Sequence, residues 1–149
     1  MKILILNGPN LNMLGIREPA VYGNSSYQDL VNLISTHAQS LGVEVCFAQS
    51  NHEGVLVDEI QKAYFEGIDG IVFNPAAYTH TSIAIADALK AVGIPTVEVH
   101  ISRVEEREAY RQISYVREVA VATISGKGFL GYTEGLDILK QYIENKNER

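Results

Sequence analysis

Residues 1–23 read MKILILNGPNLNMLGIREPAVYG, and this stretch decides how the rest of the chain is interpreted. Its first part, residues 3–6, is an apolar run short enough for one buried strand, and residues 7–10 form a dense turn signal. A long polar connection then precedes the first helix pattern. Such connections are usually functional, and in open α/β sheets they lie where ligands bind. We therefore look for chemistry at three side chains of this connection: Asn10, Arg17 and Tyr22.

Composition excludes several classes of protein. The 149 residues are 46% hydrophobic with a net charge of −6, which predicts one globular domain over residues 1–149 and no nucleic-acid surface. The single cysteine cannot form an internal disulfide, and we find no signal peptide, so we expect a cytoplasmic protein. No apolar run approaches the ~20 residues of a membrane-spanning helix, so no membrane partner is expected.

The rest of the chain alternates helix patterns with short, uniformly apolar runs, which predicts a parallel sheet covered on both faces. Strands are predicted at residues 3–6, 43–48, 71–73, 96–100 and 119–124. Helices are predicted from a cap at Ser25 or Ser26 to Gly42, through an apolar face with Val57 to a stop at Gly67, and at residues 83–92, 104–112 and 133–145. The helix at 83–92 is apolar on most sides, which predicts burial on two faces.

Five strands in this order predict an α/β fold, a flavodoxin-like three-layer sandwich with a five-stranded parallel sheet in order 2-1-3-4-5. The ligand crevice of such a sheet lies between strands one and three, with strand four next to it. Polar groups from four segments should meet at this rim. They are Asn10, Arg17 and Tyr22; Asn74 and His80; Asp87; and His100, Ile101, Ser102 and Arg111.

Most of these residues also have an ordinary structural explanation. Tyr22 could pack on the sheet, Arg17 could be a solvated charge, Asn10 and Asn74 could bond their own turns, and His80 could cap a helix. His100 is harder to explain in that way, because Glu98 lies two residues earlier on the same strand and points to the same face. A carboxylate beside an imidazole fixes its tautomer and favours its charged form, which suits a general acid.

Four sequence blocks together resemble the type II 3-dehydroquinate dehydratases: NGPNLNMLGIREPAVYG, NPAAYTHTSIAIADAL, EVHIS and REAYRQISY. They occur in that family's order and spacing, and the similarity covers essentially the whole chain. The resemblance implies a flavodoxin-like enzyme that converts 3-dehydroquinate to 3-dehydroshikimate without a cofactor or metal. It also implies assembly as a homododecamer, a tetramer of trimers.

The resemblance implies a role for each matched residue. Tyr22 matches the base that removes the proton beside the ketone, and Arg17 matches the arginine that activates it. Asn10 matches the residue that holds the enolate through a water, and His100, with Glu98 beside it, matches the general acid. The matched substrate-binding positions are Asn74, His80, Ile101, Ser102 and Arg111, and Asp87, which reaches a neighbouring subunit's site.

The sequence departs from the family pattern at two places, and three alternative functions stay open. Arg103 stands where the family commonly has asparagine, and residues 112–113 stand where it often has histidines. The main alternative is a non-catalytic small-molecule binding module on the same fold, which would not need Tyr22 together with Arg17. A flavin-binding electron carrier and a purely structural assembly protein are the others. No histidine or cysteine spacing indicates a metal site.

Overall fold

The structure, a computed structural model, describes residues 1–16, 20 and 24–148. Its sheet has five parallel strands: β1 (Lys2–Asn7), β2 (Glu44–Gln49), β3 (Gly70–Asn74), β4 (Thr96–His100) and β5 (Ala122–Ser125). The strand order is β2-β1-β3-β4-β5, as the sequence pattern predicts. The predicted fold class is therefore confirmed.

In the part of the chain that the structure describes, four helices cover the two faces of this sheet: α1 (Tyr27–Leu41), α2 (Glu53–Phe65), α3 (Ile83–Val92) and α4 (Leu130–Asn147). The strand residues alternate between two cores because successive side chains of a strand point to opposite faces. Ile3 and Ile5 of β1 pack with α1 and α4, whereas Leu4 and Leu6 pack with α2 and α3. This layering leaves the carboxyl ends of the strands as the uncovered edge, where loops can build a site.

Local signals explain where α1 and α3 begin and end. The Ser26 hydroxyl accepts a hydrogen bond from the Asp29 N–H, and the Asp29 carboxylate accepts one from the Ser26 N–H, which is a capping box. Ser82 caps α3 by accepting from the Ile85 N–H at 3.0 Å. The helices end at Gly42 and Gly93, both in the left-handed region that favours glycine. His80 therefore does not cap α3.

The segment between β4 and β5 differs from the prediction. No continuous helix covers residues 104–112; two separate 3-10 turns stand there, Val104–Glu106 and Ala109–Arg111, with extended backbone at Arg107 between them. The Gln112 side-chain amide donates to the Val104 and Glu105 carbonyls, both at 3.2 Å. In a continuous helix these two carbonyls would accept from backbone N–H groups instead. The last strand begins at Ala122 rather than Val119, because a third 3-10 turn occupies Arg117–Val119.

One further helix boundary and one helix face also differ from the prediction. The last helix begins at Leu130, three residues before the predicted start. In the single chain, α3 buries Ile85, Ala88 and Leu89, but Ile83 is 57% exposed and Asp87 is exposed on the same side. The prediction that this helix is buried on two faces is therefore wrong for one chain by itself.

Candidate active site

A cleft of about 440 Å³, part of it open to solvent, lies at the carboxyl ends of β1, β3 and β4. The structure brings seven of the predicted site residues to its wall: Asn10, Asn74, His80, His100, Ile101, Ser102 and Arg111. Glu98 lies beneath this wall in contact with His100. Arg17 and Tyr22 lie outside the described residues. The predicted meeting of the loops after strands one, three and four is thus observed for the parts that are described.

Asn10 is held in place by the loop that follows β2. Its backbone is left-handed, with φ of 70°, a conformation that asparagine tolerates better than most residues. The Asn10 N–H donates to Asn51 Oδ1 at 3.0 Å, and Gln49 Nε2 donates to the same oxygen at 3.2 Å. The Asn10 side chain makes no capping hydrogen bond to the 3-10 turn that follows, so its amide is not committed to that turn.

Asn74 ends β3 with its side chain almost fully buried. Its Oδ1 accepts from the Ala76 N–H at 3.0 Å, the local bond expected of an asparagine in a turn. Its backbone carbonyl accepts from the Gly8 N–H at 2.7 Å. A side chain at Gly8 would collide with the Pro75 carbonyl, so only glycine allows β1 and β3 to continue this close together. The strand ends are thereby locked at the floor of the cleft.

Glu98 and His100 form the most buried charged pair of the site. Glu98 is 0% exposed and His100 is 4% exposed, and His100 Nε2 bonds Glu98 Oε2. Because an ionised carboxylate only accepts, Nε2 carries a proton in this pair. The other ring nitrogen, Nδ1, can then release a proton only when the imidazole is charged. In the charged ring, the pair presents a proton donor to the cleft at Nδ1.

Three hydroxyl groups surround the Glu98 carboxylate. Thr79 donates to Oε2 at 2.9 Å, Ser114 reaches both oxygens at 2.8 and 3.0 Å, and Thr123 reaches Oε1 at 3.4 Å. Burial by itself raises the pKa of Glu98, but the bond to His100, its charge and the Ser114 and Thr79 hydroxyls lower it below the ordinary value. The carboxylate therefore stays ionised although it is buried. These three hydroxyl groups could not be predicted from the sequence, because isolated hydroxyl residues carry no periodic signal.

His80 faces the cleft as a hydrogen-bond acceptor. Its Nδ1 donates to the Ile113 carbonyl at 2.7 Å, which leaves Nε2 with a lone pair in the neutral ring. Burial is the main cause that lowers the pKa of His80, and the nearby charges of His100 and Arg111 lower it further. A ligand hydroxyl in the cleft would therefore find an acceptor at this ring.

Two guanidinium groups give the cleft a positive rim in an acidic protein. Arg111 Nε donates to Glu108 at 2.7 Å, and the charged end of Arg111 lies 5.3 Å from the centre of the Tyr110 ring. Arg107 also lines the cleft and lies 3.8 Å from the same carboxylate. Arg107 was not among the predicted site residues, although it lies four residues before Arg111 in the sequence. Arg103 pairs with Glu106 at 3.3 Å, and it is not among the residues that line the cleft.

The end of β4 is shaped by the glycine-rich turn after β5. The His100 carbonyl accepts from the Gly126 N–H at 3.2 Å, and the Ile101 carbonyl accepts from the Gly128 N–H at 3.1 Å. The Ser125 hydroxyl donates to the Ser102 carbonyl at 3.1 Å. These bonds take up the carbonyl groups of the strand end and fix the backbone of Ile101 and Ser102 at the cleft wall. Backbone N–H groups fixed in this way can bind a carboxylate.

Asp87 lies apart from the cleft of its own chain. It is exposed on α3 and is not among the residues that line the cleft. Among the described residues, no group of three or more histidine, cysteine, aspartate or glutamate side chains is arranged to hold a metal ion. Nor does any helix in that part of the chain have the length and apolar character needed to cross a membrane.

The family described as Dehydroquinase class II matches residues 1–140. The chain belongs to the class II dehydroquinases. The resemblance stated from the four sequence blocks is therefore confirmed. Membership also agrees with the arrangement of the cleft, where the matched blocks from three strand ends meet around His100.

Relatives of this dehydroquinase chain match it nearly end to end. A 3-dehydroquinate dehydratase of Caldicellulosiruptor bescii is 52% identical over 143 residues, which cover 96% of this chain and 99% of that protein. A 3-dehydroquinate dehydratase of Clostridium perfringens strain 13 is 49% identical over 146 residues, covering 98% and 100%. The crystal structure of a type II dehydroquinase from Butyrivibrio crossotus superimposes with a TM-score of 0.92 at 55% identity, covering 94% and 97%.

Proposed function

We propose that the chain is a 3-dehydroquinate dehydratase, which removes water from 3-dehydroquinate to give 3-dehydroshikimate. The observation that carries the proposal is the buried Glu98–His100 pair at a positively charged cleft in a class II dehydroquinase. The reaction belongs to the shikimate pathway of aromatic amino acid biosynthesis, and quinate breakdown uses the same step. The whole chain, residues 1–149, acts as one domain in this proposal.

The first step takes a proton from the carbon next to the ketone. The family resemblance assigns this step to Tyr22. A tyrosine is mostly protonated at neutral pH, so a nearby cation must favour its phenolate form. Arg17, five residues earlier on the same connection, is the cation assigned to this task, because a guanidinium keeps its charge.

The enolate that results needs hydrogen-bond donors that are already in place. Asn10 is assigned to this oxygen through a bridging water. Its support from Asn51 and Gln49 favours the role, since a donor fixed before the reaction needs no reorganisation when charge develops. Removal of one such donor typically costs about 3 kcal/mol of transition-state stabilisation.

Loss of hydroxide requires a proton donor, and His100 is proposed as that general acid. The charged ring holds one proton at Nε2 against Glu98 and offers the other from Nδ1 to the leaving oxygen. Glu98 is a positioning residue, since it acts on the substrate only through His100. The elimination needs no cofactor or metal in this scheme, because side chains take and give each proton.

The remaining groups bind the substrate. The backbone N–H groups of Ile101 and Ser102 are proposed to hold the carboxylate. His80 and Asn74 are proposed to hold hydroxyl groups, and Arg111 supplies a planar fork of donors at the rim. The position of all five at the cleft supports these roles.

We further propose that the protein assembles as a homododecamer of four trimers in the cytoplasm. In that assembly Asp87 would reach the cleft of a neighbouring subunit. The exposed side of α3, where Asp87 and Ile83 lie together, supports an interface at this helix. Sedimentation equilibrium at several protein concentrations tests the assembly, and a monomer at every concentration would contradict it.

The decisive experiment mixes the protein with 3-dehydroquinate and a chelator and follows the ultraviolet absorbance of the conjugated enone product. Tyr22→Phe should abolish turnover and leave substrate affinity near wild type. Tyr142→Phe, an exposed tyrosine on α4, is the matched control and should be fully active. Turnover of Tyr22→Phe within tenfold of wild type would reject tyrosine as the base.

The alternative is a non-catalytic small-molecule binding module on the same fold. The Asn74 amide, the strand-end N–H groups and Arg111 would serve it equally well. A folded wild-type protein that binds the substrate analogue quinate but forms no enone would establish that alternative.

A further inference from the structure

Tyr132 lies on α4 and is fully buried, yet its hydroxyl reaches the carboxyl ends of β1 and β3. The hydroxyl donates to Asn7 Oδ1 at 2.6 Å and accepts from Asn74 Nδ2 at 2.9 Å. Asn7 Nδ2 in turn donates to the Tyr27 hydroxyl at 3.3 Å, and Asn74 Oδ1 accepts from the Ala76 N–H at 3.0 Å. The proposed reaction gives a role to Asn74 but none to Tyr132.

The direction of this hydrogen-bond chain is fixed at one end by the backbone. The Ala76 N–H can only donate, so the Asn74 side chain must present its oxygen there and its Nδ2 to Tyr132. The Tyr132 hydroxyl must then accept a hydrogen bond from Asn74 and donate its own proton to Asn7. A flipped Asn74 amide would place two donors face to face at Ala76.

The same geometry decides what Asn74 can offer to the cleft. Nδ2 carries two protons, and Tyr132 accepts one of them. The other proton is the donor that this amide can present to an acceptor oxygen of a ligand. Burial raises the pKa of Tyr132, so its hydroxyl keeps its proton throughout the physiological range.

We propose that Tyr132 is a positioning residue for Asn74: together with the Ala76 N–H it holds the amide so that the second Nδ2 proton faces a substrate oxygen in the cleft. Tyr132 does not line the cleft and acts only through Asn74. The kinetic part of this inference rests on the proposed dehydratase function. The orientation of the amide can be measured without it.

The kinetic test is a double-variant cycle with Tyr132→Phe and Asn74→Ala. Tyr132→Phe keeps the ring that fills the core and removes only the hydroxyl. It should lower kcat/KM about tenfold, the effect of one weakened hydrogen bond to substrate. In the Asn74→Ala background the same change should have less than about a twofold effect, because the residue it positions is gone.

Two results would overturn the proposal: wild-type kcat/KM in Tyr132→Phe, or an equal loss in both backgrounds. Leu139→Ala is the control for a merely structural effect, since it opens a cavity two turns further along the same helix. It should lower the free energy of unfolding and leave kcat/KM unchanged where the protein is folded. If Tyr132→Phe does not fold, Asn7→Ala removes the acceptor of the Tyr132 proton and should show the same dependence on Asn74.

The second measurement is the side-chain amide signal of Asn74 in nuclear magnetic resonance spectra, assigned by its absence in Asn74→Ala. Its protons should exchange slowly in the wild type and at least about tenfold faster in Tyr132→Phe. An unchanged exchange rate of the Asn74 amide protons in Tyr132→Phe would overturn the proposal even if the wild type shows no turnover. A wild type without turnover but with the expected exchange difference would reject the dehydratase function and keep the orienting role of Tyr132.

Discussion

The rings of His80 and His100 lie nearly parallel, with centroids 6.4 Å apart and planes inclined by 16°. Their partners give them opposite roles. His80 Nδ1 donates to a backbone carbonyl and leaves an acceptor facing the cleft, whereas His100 Nε2 is bound to a carboxylate, so its Nδ1 is a donor when the ring is charged. Two adjacent imidazoles thus offer a substrate one acceptor and one proton donor.

His80→Gln should raise KM about three- to tenfold with a smaller change in kcat, because one hydrogen bond to substrate is weakened. In the wild type, KM should rise at acid pH, since protonation turns the Nε2 acceptor into a donor. Because the pKa of His80 is lowered, this rise should begin below the ordinary histidine value of about 6.5. Steady-state kinetics from pH 5 to 8 test this, and parallel KM curves for both proteins would contradict it.

His100→Ala should lower kcat about 100- to 10,000-fold, the usual contribution of a positioned general acid. KM should change less, since other groups bind the substrate. His37→Ala is the matched control, because His37 bonds Asp137 at 2.7 Å between the exposed sides of α1 and α4. Full activity of His100→Ala in the enone assay would remove His100 as the acid.

Glu98→Gln should change how stability depends on pH. The pKa of Glu98 is lowered in the folded protein, so below about 4.5 the unfolded chain binds a proton that the folded chain does not. The stabilisation from Glu98 is therefore complete above that pH and is lost as the pH falls through the folded-state pKa. Urea unfolding at several pH values should show the stability difference between wild type and Glu98→Gln shrinking towards acid. A difference independent of pH would contradict this sign.

Thr79→Val and Ser114→Ala should each lower kcat in the enone assay. Each change removes a hydroxyl that stabilises the ionised Glu98 carboxylate, which holds the His100 ring. Thr79→Ser keeps the hydroxyl and should restore the rate. Failure of Thr79→Ser to rescue would show that packing, and not the hydroxyl, is what matters at this position.

The sequence predicted the central strands well and the segment after β4 poorly. Strands β1, β3 and β4 are buried on both faces, so their apolar runs are continuous and their boundaries are clear. Residues 104–112 are rich in glutamate and arginine, which favours a helix, but only Val104 is buried there, so no apolar stripe holds a helix on the core. Val119 continued the β-branched pattern of β5, yet it ends a 3-10 turn.

Site residues at the ends of strands could be predicted from the sequence. Residues that hold those side chains in place from turns or from a helix could not. Asn74 and His100 follow directly from the strand pattern, because parallel strands end at one edge. Thr79, Ser114 and Tyr132 did not stand out, since single polar residues in turns or within an apolar helix face carry no signal until their partners are known. Arg107 lay in a run of charges that is usually a solvated surface.

The locked strand ends have a consequence for inhibitor design. Asn74 is held by Gly8 through its backbone and by Ala76 and Tyr132 through its side chain, so the floor of the cleft can serve as a fixed template for docking. Compounds that need this asparagine to rotate should lose affinity. Adjustable chemical groups are better directed at the charged rim, where Arg111 is held by the exposed side chains of Glu108 and Tyr110.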